Sequence, residues 1–354
     1  MQSTIIGSNQ AGQRLDKFLH KYLPNAGTGF LYKMLRKKNI TLNGRKAEGS
    51  EKLKEGDAVS FFFSQETFEK FSGIVAGQDQ MPSETAGKGL SFSEYEKAYR
   101  SLKGIQIVYE DEHFLFLNKP AGILTQKAGS EDSSLNEWLV GYLLQKDPGL
   151  AADFHTFRPS VCNRLDRNTS GIVLCGKSLA GLQFLSQCLR EKKVRKFYHA
   201  ICVGELREEG RVQGYLFKDE KANKAVISKQ YKPQAGSKPS SEQKQEYIET
   251  GYTFLGIKNG HTYLEVELIT GKTHQIRAHL ASMGHPLIGD FKYGGDKINR
   301  RWKQEYGLSH QLLHACRVVF PEITSGVGAS LGGREFTAPE PREFMEVKRA
   351  LGLM

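Results

Sequence analysis

The chain has 354 residues, of which 39% are hydrophobic and 25% charged, enough to bury a sizeable core and, at this length, to form about two domains. No run approaches the ~18 consecutive apolar residues of a membrane span, and Met1 to Gln10 show no basic stretch leading into an apolar one, so the sequence predicts a soluble cytoplasmic protein without a membrane partner. Fifty Lys and Arg against 39 Asp and Glu leave a net charge of +11, a balance that suits a polyanion such as RNA, DNA or anionic lipid. The five cysteines, Cys162, Cys175, Cys188, Cys202 and Cys316, form no C-x-x-C pair. Their odd number predicts reduced thiols and speaks against a zinc ribbon or a disulfide scaffold.

Residues 1–63 hold eleven Lys and Arg against five Asp and Glu, so more than half of the surplus charge sits on the first fifth of the chain. Leu15, Phe18, Leu19 and Tyr22 recur at helical spacing, as do Leu31, Met34 and Leu35. Lys33, Arg36, Lys37 and Lys38 interleave with the second set and give that helix a basic face. Ile40–Leu42, an Asn43-Gly44 turn and Ala58–Phe63 read as strands around a tight hairpin. Residues 64–103 turn to Ser, Glu, Gly and Gln and read as a linker with one short helix near Tyr95–Leu102.

From residue 104 to 354, strand-like runs recur at Gln106–Tyr109, Phe114–Leu117, Ile172–Leu174, Phe197–Val203, Tyr252–Ile257 and Tyr263–Leu268. Helical runs are fewer: Leu135–Leu144, Leu179–Arg190 and Thr273–Met283, the last ended by Gly284. Strands outnumber helices without alternating regularly with them, which predicts an α+β fold with a mixed, mainly antiparallel sheet. No G-x-G-x-x-G or G-x-x-x-x-G-K-[ST] loop occurs, so dinucleotide and ATP chemistry lack their usual support.

The most unusual segment is Asn163-Arg164-Leu165-Asp166-Arg167-Asn168-Thr169-Ser170-Gly171, a polar loop running into the strand Ile172-Val173-Leu174. Two guanidinium groups bracket one carboxylate and favour its charged form. A loop aspartate so placed either acts as a nucleophile or holds a turn by pairing with Arg164 or Arg167. The string does not stand alone. Arg164 to Gly171 resembles the catalytic signature of the RluA family of pseudouridine synthases. Tyr109-Glu110-Asp111 with Asn118-Lys119-Pro120-Ala121-Gly122 resembles its first motif, and Lys196-Phe197-Tyr198-His199-Ala200 its tyrosine-bearing strand. Gly271 to Leu280 and Gly284 to Asp290 are similar to its third motif, and Leu313-His314-Ala315 is read as preceding a closing strand. Ahead of these five ordered blocks, Arg14-Leu15-Asp16-Lys17-Phe18-Leu19 and Ile40-Thr41-Leu42-Asn43-Gly44 resemble the small RNA-binding domain named after ribosomal protein S-four.

The resemblance implies three domain assignments: an RNA-binding module over 1–63, the linker 64–103 and a catalytic domain over 104–354. It also implies a cofactor-independent reaction that cuts the uridine N1–C1′ bond and rejoins the base through C5. Asp166 would be the nucleophile, able to attack the sugar or the pyrimidine ring. Tyr198 would stack on the base and help move the C5 proton, and Arg277 would be the salt-bridge partner of Asp166. A target base must leave its stack, and Arg164, whose planar guanidinium can stack, is the candidate to fill the gap. Arg167 and the helix cations Lys33, Arg36 and Lys37 complete the RNA-binding set. The bland alternatives are an ordinary core tyrosine, a surface arginine at 277 and a solvated basic helix face.

Two positions depart from the family pattern. Asn163 stands where His is common, and Asn cannot be protonated. Lys272 replaces the more usual Arg and keeps charge without bidentate geometry. His261, His274, His279 and His285 show no metal-ligand spacing, and no metal or other cofactor is predicted. The expected partner is RNA, ribosomal RNA ahead of transfer RNA, because a basic module suits a large folded substrate. Nothing in the sequence demands more than a monomer. The competing readings are a non-catalytic RNA-binding or ribosome-assembly protein and a metal-dependent RNA hydrolase, for which no carboxylate cluster is found.

Overall fold

A computed structural model describes residues 2–7, 9–72, 92–219, 224–228, 230 and 245–354. The first body comprises β1 (Gln2–Ile5), α1 (Leu15–Tyr22), α2 (Thr28–Arg36), β2 (Ile40–Leu42), β3 (Arg45–Lys46), β4 (Ala58–Phe61) and α3 (Gln65–Ser72). Its four strands are ordered β1-β4-β2-β3. Asn43 at φ 50° and Gly44 at φ 71° make the left-handed turn that joins β2 to β3, as an Asn-Gly pair favours. Leu15, Phe18, Leu19, Leu31, Met34 and Leu35 bury one stripe of each helix against Ile40, Val59 and Phe61. The Tyr22 ring stacks between Phe18 and Phe61 at 5.3 Å from each.

The sequence reads 64–103 as a linker with one short helix near Tyr95–Leu102; that helix forms, and a second one, α3, opens the segment. Phe68 of α3 is buried in the first core with Phe71 packed against it, which extends that body to Ser72. At the other end α4 (Phe92–Ser101) packs on α5 (Leu135–Lys146) and belongs to the second body. Gly141 permits this approach, since a Cβ there would lie 2.3 Å from the Tyr95 carbonyl oxygen. Residues 73–91 lie outside the described residues.

The second body continues with β5 (Gln106–Glu110), β6 (Phe114–Lys119), a 3₁₀ segment (Pro148–His155), β7 (Ser160–Val161), β8 (Ser170–Gly176), α6 (Leu179–Arg190) and β9 (Arg195–Val203). It then runs through β10 (Gly210–Asp219), β11 (Lys224–Ser228), β12 (Glu246–Lys258), β13 (His261–Leu268), α7 (Gln275–Ser282), α8 (Asp296–Tyr306), β14 (Leu313–Val319), β15 (Glu335–Thr337) and α9 (Arg342–Leu351). One sheet runs β11-β10-β12-β13-β9-β14-β8-β6-β5, with β15 beside β14 and β7 beside β8. All its pairs are antiparallel except β14 with β8, so the predicted mixed, mainly antiparallel α+β fold is what forms. Leu313-His314-Ala315 is the start of β14 itself, where the sequence placed it before the strand. The predicted helix Thr273–Met283 is shorter, because His274 turns left-handed and caps it.

The strands β6 and β8 are buried on both faces, which explains their near-continuous apolar runs. Leu115 and Leu117 join α5, Tyr198, Ile276 and Leu280 in one core. Phe114 and Phe116 join Leu185 and Cys188 of α6 in another. The parallel junction is tight: Gly171 has φ 114°, and a Cβ there would lie 2.3 Å from the Ala315 carbonyl oxygen. Behind β9 and β13, α9 contributes Phe344, Val347 and Leu351 to a further cluster. The two bodies meet where Lys21 Nζ donates to the Thr156 carbonyl at 2.8 Å and Gln10 Nε2 to Thr156 Oγ1 at 3.1 Å. All five cysteines are free thiols, and no helix among the described residues is long and apolar enough to cross a membrane.

Candidate active site

Asp166 lies in the loop that enters β8, and four separate anchors fix that loop. Lys119, fully buried at the end of β6, donates to the carbonyls of Pro120 at 3.0 Å, Ile123 at 2.8 Å and Arg167 at 3.1 Å. All three of its ammonium donors are thereby used. Burial lowers its pKa to about 7, and the charge of Asp166 acts in the opposite direction. Thr125 Oγ1 donates to the Leu165 carbonyl at 2.8 Å, and Gln311 Nε2 donates to Thr169 Oγ1 at 3.1 Å. Asn163 Oδ1 accepts the Leu174 amide at 2.7 Å while its Nδ2 donates to the Ile172 carbonyl at 3.4 Å. Asn at 163 thus ties the loop to its strand through both ends of a neutral amide, a task that needs no positive charge.

His314 completes the support from below. Its Nε2 lies 3.1 Å from the Ala338 carbonyl and so carries the proton, which leaves Nδ1 to accept from the Ser170 hydroxyl at 2.9 Å. Burial lowers its pKa to about 4 and keeps the ring neutral.

The carboxylate of Asp166 is met from α7 and not by its flanking arginines. Arg277 Nη1 donates to Asp166 Oδ2 at 3.0 Å, and His274 Nε2 lies 3.6 Å from the same oxygen. Neither Arg164 nor Arg167 pairs with Asp166 among the described residues, so the turn-holding alternative is replaced by a cross-element pair. Arg277 is only 7% exposed. Its Nε and Nη2 grip both oxygens of Asp290 at 2.7 and 2.9 Å, and Tyr293 stacks on its guanidinium at 5.1 Å. Burial opposes the charge of Arg277, but the bonds to Asp290 and the nearby Asp166 hold its pKa above the ordinary value. A fork with three occupied donors needs arginine, which is why this residue is no surface cation.

Tyr198, 6% exposed on β9, lines the same cleft as Asp166. Burial, with the charge of Asp166 adding, pushes its ionisation up, so the phenol is neutral at physiological pH. The cleft has a volume of about 1060 Å³ and is lined by seven lysines and arginines against one carboxylate, Asp166 itself. Arg164 and Arg167 are exposed on its wall, Arg167 Nε donating to the Gly122 carbonyl at 3.2 Å. Lys272 also lines it and pairs with Glu246 at 2.6 Å, a single point-charge contact that lysine makes as readily as arginine. Lys33 and Arg36 on α2 and Lys37, which caps it, are exposed on the first body, outside this cleft.

Sequence reasoning missed Lys119, His274, Asp290 and Tyr293. A lysine closing the run Phe114 to Asn118 was a signal of a buried cation; Asp290 stood in the segment that resembles the third motif, but nothing local named its partner, Arg277 on α7. None of the four histidines weighed as ligands sits in a metal-like cluster among the described residues. The one such group there is His199, Glu265 and Cys316, behind the sheet, and its donors are occupied. Glu265 takes both bonds of Arg317 Nη2 at 2.8 Å, and His199 Nδ1 bonds Glu340 at 2.7 Å.

A mixed sheet carrying one arginine-held carboxylate at the wall of a cation-lined cleft defines an enzyme that acts on a polyanion. The sequence profile of the family described as RNA pseudouridylate synthase matches residues 113–282. Among curated relatives, the ribosomal large subunit pseudouridine synthase C of Vibrio cholerae is 30% identical over 320 residues, covering 90% of this chain and 89% of its own. The protein of the same name from Pasteurella multocida is 30% identical over 330 residues, covering 91% and 86%. Among solved structures, human RNA pseudouridylate synthase domain containing 4 shares the fold with a TM-score of 0.52 at 22% identity, covering 74% of this chain and 98% of its own. The chain belongs to the RNA pseudouridylate synthase family and is an isomerase acting on RNA.

Proposed function

We propose that the protein converts specific uridines of large-subunit ribosomal RNA to pseudouridine, with Asp166 as the nucleophile. The observation that carries the reading is the carboxylate of Asp166, ion-paired to a buried Arg277 and sharing a basic cleft with Tyr198. Asp166 supplies the electron pair of the covalent bond to the nucleoside, and the N1–C1′ pair stays with the base. When C5 takes C1′, the bond to Asp166 breaks and its electron pair returns to the carboxylate, the C5 proton is lost and N1 gains one, so substrate and product are isomers. Tyr198, neutral and beside Asp166, supports the base and assists that proton transfer. Arg277, bonded to one carboxylate oxygen at 3.0 Å, holds Asp166 in place and aims it. Arg164 and Arg167, free of carboxylate partners among the described residues, take the displaced RNA strand, Arg164 filling the gap left by the flipped base.

The ribosomal target follows the printed names of the curated relatives and the cation excess of the cleft. The first body, ending with α3, serves as an RNA-binding module of the S-four type, with Lys33, Arg36 and Lys37 on its exposed helix face. The test is a transcriptome-wide pseudouridine map, by carbodiimide-stop sequencing, in cells with and without the gene. Ribosomal sites lost on deletion and restored by wild type but not by Asp166→Asn support the reading. Sites lost only from transfer RNA would replace the substrate, and sites restored by Asp166→Asn would remove Asp166 from the chemistry.

A further inference from the structure

We infer that His274 is a positioning residue that works with Arg277 to hold Oδ2 of Asp166, so that Oδ1 is the oxygen presented to the nucleoside. The inference rests on the nucleophilic role proposed for Asp166. Its geometry begins with a backbone cost. His274 caps α7 with φ 57° and ψ 16°, the left-handed region that glycine or asparagine occupies more cheaply. A bulkier ring held there indicates that the ring is needed.

What holds the ring also fixes its proton. His274 Nδ1 lies 2.9 Å from Tyr293 Oη, and Tyr293 Oη already accepts the Ala225 amide at 2.8 Å. The phenol's own proton has Nδ1 as its acceptor among the described residues. Neutral His274 then carries its proton on Nε2, the nitrogen 3.6 Å from Asp166 Oδ2. That distance is beyond a hydrogen bond in the resting site, and contacts of this kind tighten when substrate closes the site. Arg277 Nη1 reaches the same oxygen at 3.0 Å, while no described group donates to Oδ1. Two donors on one oxygen leave the other to give the bonding pair and to take it back on release.

The charges around His274 set the pH dependence. It faces Asp166 from the catalytic loop, Arg277 from its own helix, and Asp290, Lys292 and Tyr293 from the segment that follows. Burial lowers its pKa below the ordinary 6.5; Arg277 and Lys292 act in the same direction, and Asp166 and Asp290 oppose them. A neutral donor orients the carboxylate without cancelling its charge. Protonation at lower pH would add a second full ion pair on Asp166 and withdraw its nucleophilicity, so the rate should fall as pH drops through the His274 pKa.

The test has two arms on the full chain. Histidine ¹⁵N NMR, which needs no substrate, should show His274 as the Nε2–H tautomer in wild type and lose that signature in Tyr293→Phe. Single-turnover rates are then measured from pH 5 to 8.5 on transcribed large-subunit ribosomal RNA. His274→Asn, which tolerates the left-handed backbone, should fall roughly 10–100-fold in kcat with little change in KM and lose the acid limb. Tyr293→Phe should fall roughly tenfold. An Nδ1–H tautomer, wild-type rates and pH profile in both variants, or a change confined to KM would each overturn the assignment. A wild type inactive on that RNA would count against the proposed target and leave the NMR arm standing.

Discussion

Asp290→Asn tests the architecture most directly, because the change is nearly isosteric and acts on one charge. Asp290 is 1% exposed, and its two oxygens carry different loads. Oδ1 accepts Arg277 Nη2 at 2.9 Å and the amides of Lys292 and Tyr293 at 3.0 Å each, while Oδ2 accepts Arg277 Nε alone at 2.7 Å. Asparagine can keep the Oδ1 bonds, but its amide nitrogen then faces the Nε–H of Arg277, donor against donor. One charge-assisted bond is lost, about 1.5–3 kcal/mol, and a buried donor is left unsatisfied at about 1–3 kcal/mol. The sum agrees with the about 3–5 kcal/mol typical of removing one partner from a buried ion pair.

Urea unfolding should therefore show a loss of about 3–5 kcal/mol with an unchanged slope in denaturant. The catalytic effect comes through Arg277, whose guanidinium keeps only one of its two bonds to residue 290 and fixes Asp166 less firmly. A displacement of about 1 Å at a reacting group costs about 100-fold, equivalent to about 2.7 kcal/mol on the barrier. Single-turnover rates at saturating RNA should fall by that factor while KM stays within about threefold. Stability within about 1 kcal/mol of wild type together with an undiminished rate would show that Asp290 does not hold Arg277 in solution, and the positioning argument would fail.

Three further outcomes follow from particular contacts. Gly171→Ala should lose about 2–6 kcal/mol in urea unfolding, because it adds strain at φ 114° to a Cβ placed 2.3 Å from the Ala315 carbonyl; a loss below about 1 kcal/mol would mean that β8 and β14 separate easily. Glu340, 8% exposed at its side chain, has its pKa lowered from 4.5 to about 2; burial opposes this, and bonds from His199, Lys348 and Tyr263 override it. A carboxylate depressed in the folded state contributes stability above its unfolded pKa and loses it as pH falls, here about 3 kcal/mol between about pH 5 and 2. Glu340→Gln should flatten the stability curve over that window, and an unchanged acid limb would assign acid unfolding to other groups. Replacing Lys33, Arg36 and Lys37 together by Gln should reduce the slope of log affinity against log salt by about 2–3, if each meets one phosphate; an equal slope would take α2 off the RNA.

The sequence disclosed whatever depended on neighbours along the chain. Alternation and apolar runs gave the strands, the Asn43-Gly44 pair gave its turn, and the loop from Asn163 to Gly171 drew attention because one carboxylate lay between two arginines. The bracketing alone allowed a pair with Arg164 or Arg167, whereas the family resemblance named Arg277, 111 residues away, and that is the pair that forms. Asp166 on the loop before β8 meets Arg277 on α7, and the parallel contact of β14 with β8 lies beside that loop; neither is coded in the spacing of any one segment. Asp290 shows the limit most clearly. It closes the segment that resembles the third motif but carries no periodic or compositional signal of its own, and burial against Arg277 shows what it holds.

The fold gives up helical regularity at His274. Starting α7 at Thr273 would extend it by about half a turn and cost no left-handed residue. The helix instead begins at Gln275, whose amide side chain bonds Thr250 Oγ1 and the Glu249 carbonyl at 2.9 Å each and pins α7 to β12. With that end fixed, Arg277 comes up about half a turn later, buried and aimed at the loop before β8. The helix start, the left-handed cap and the Asp290 grip are thus three constraints on one guanidinium, and each is testable by a variant that leaves the other two in place.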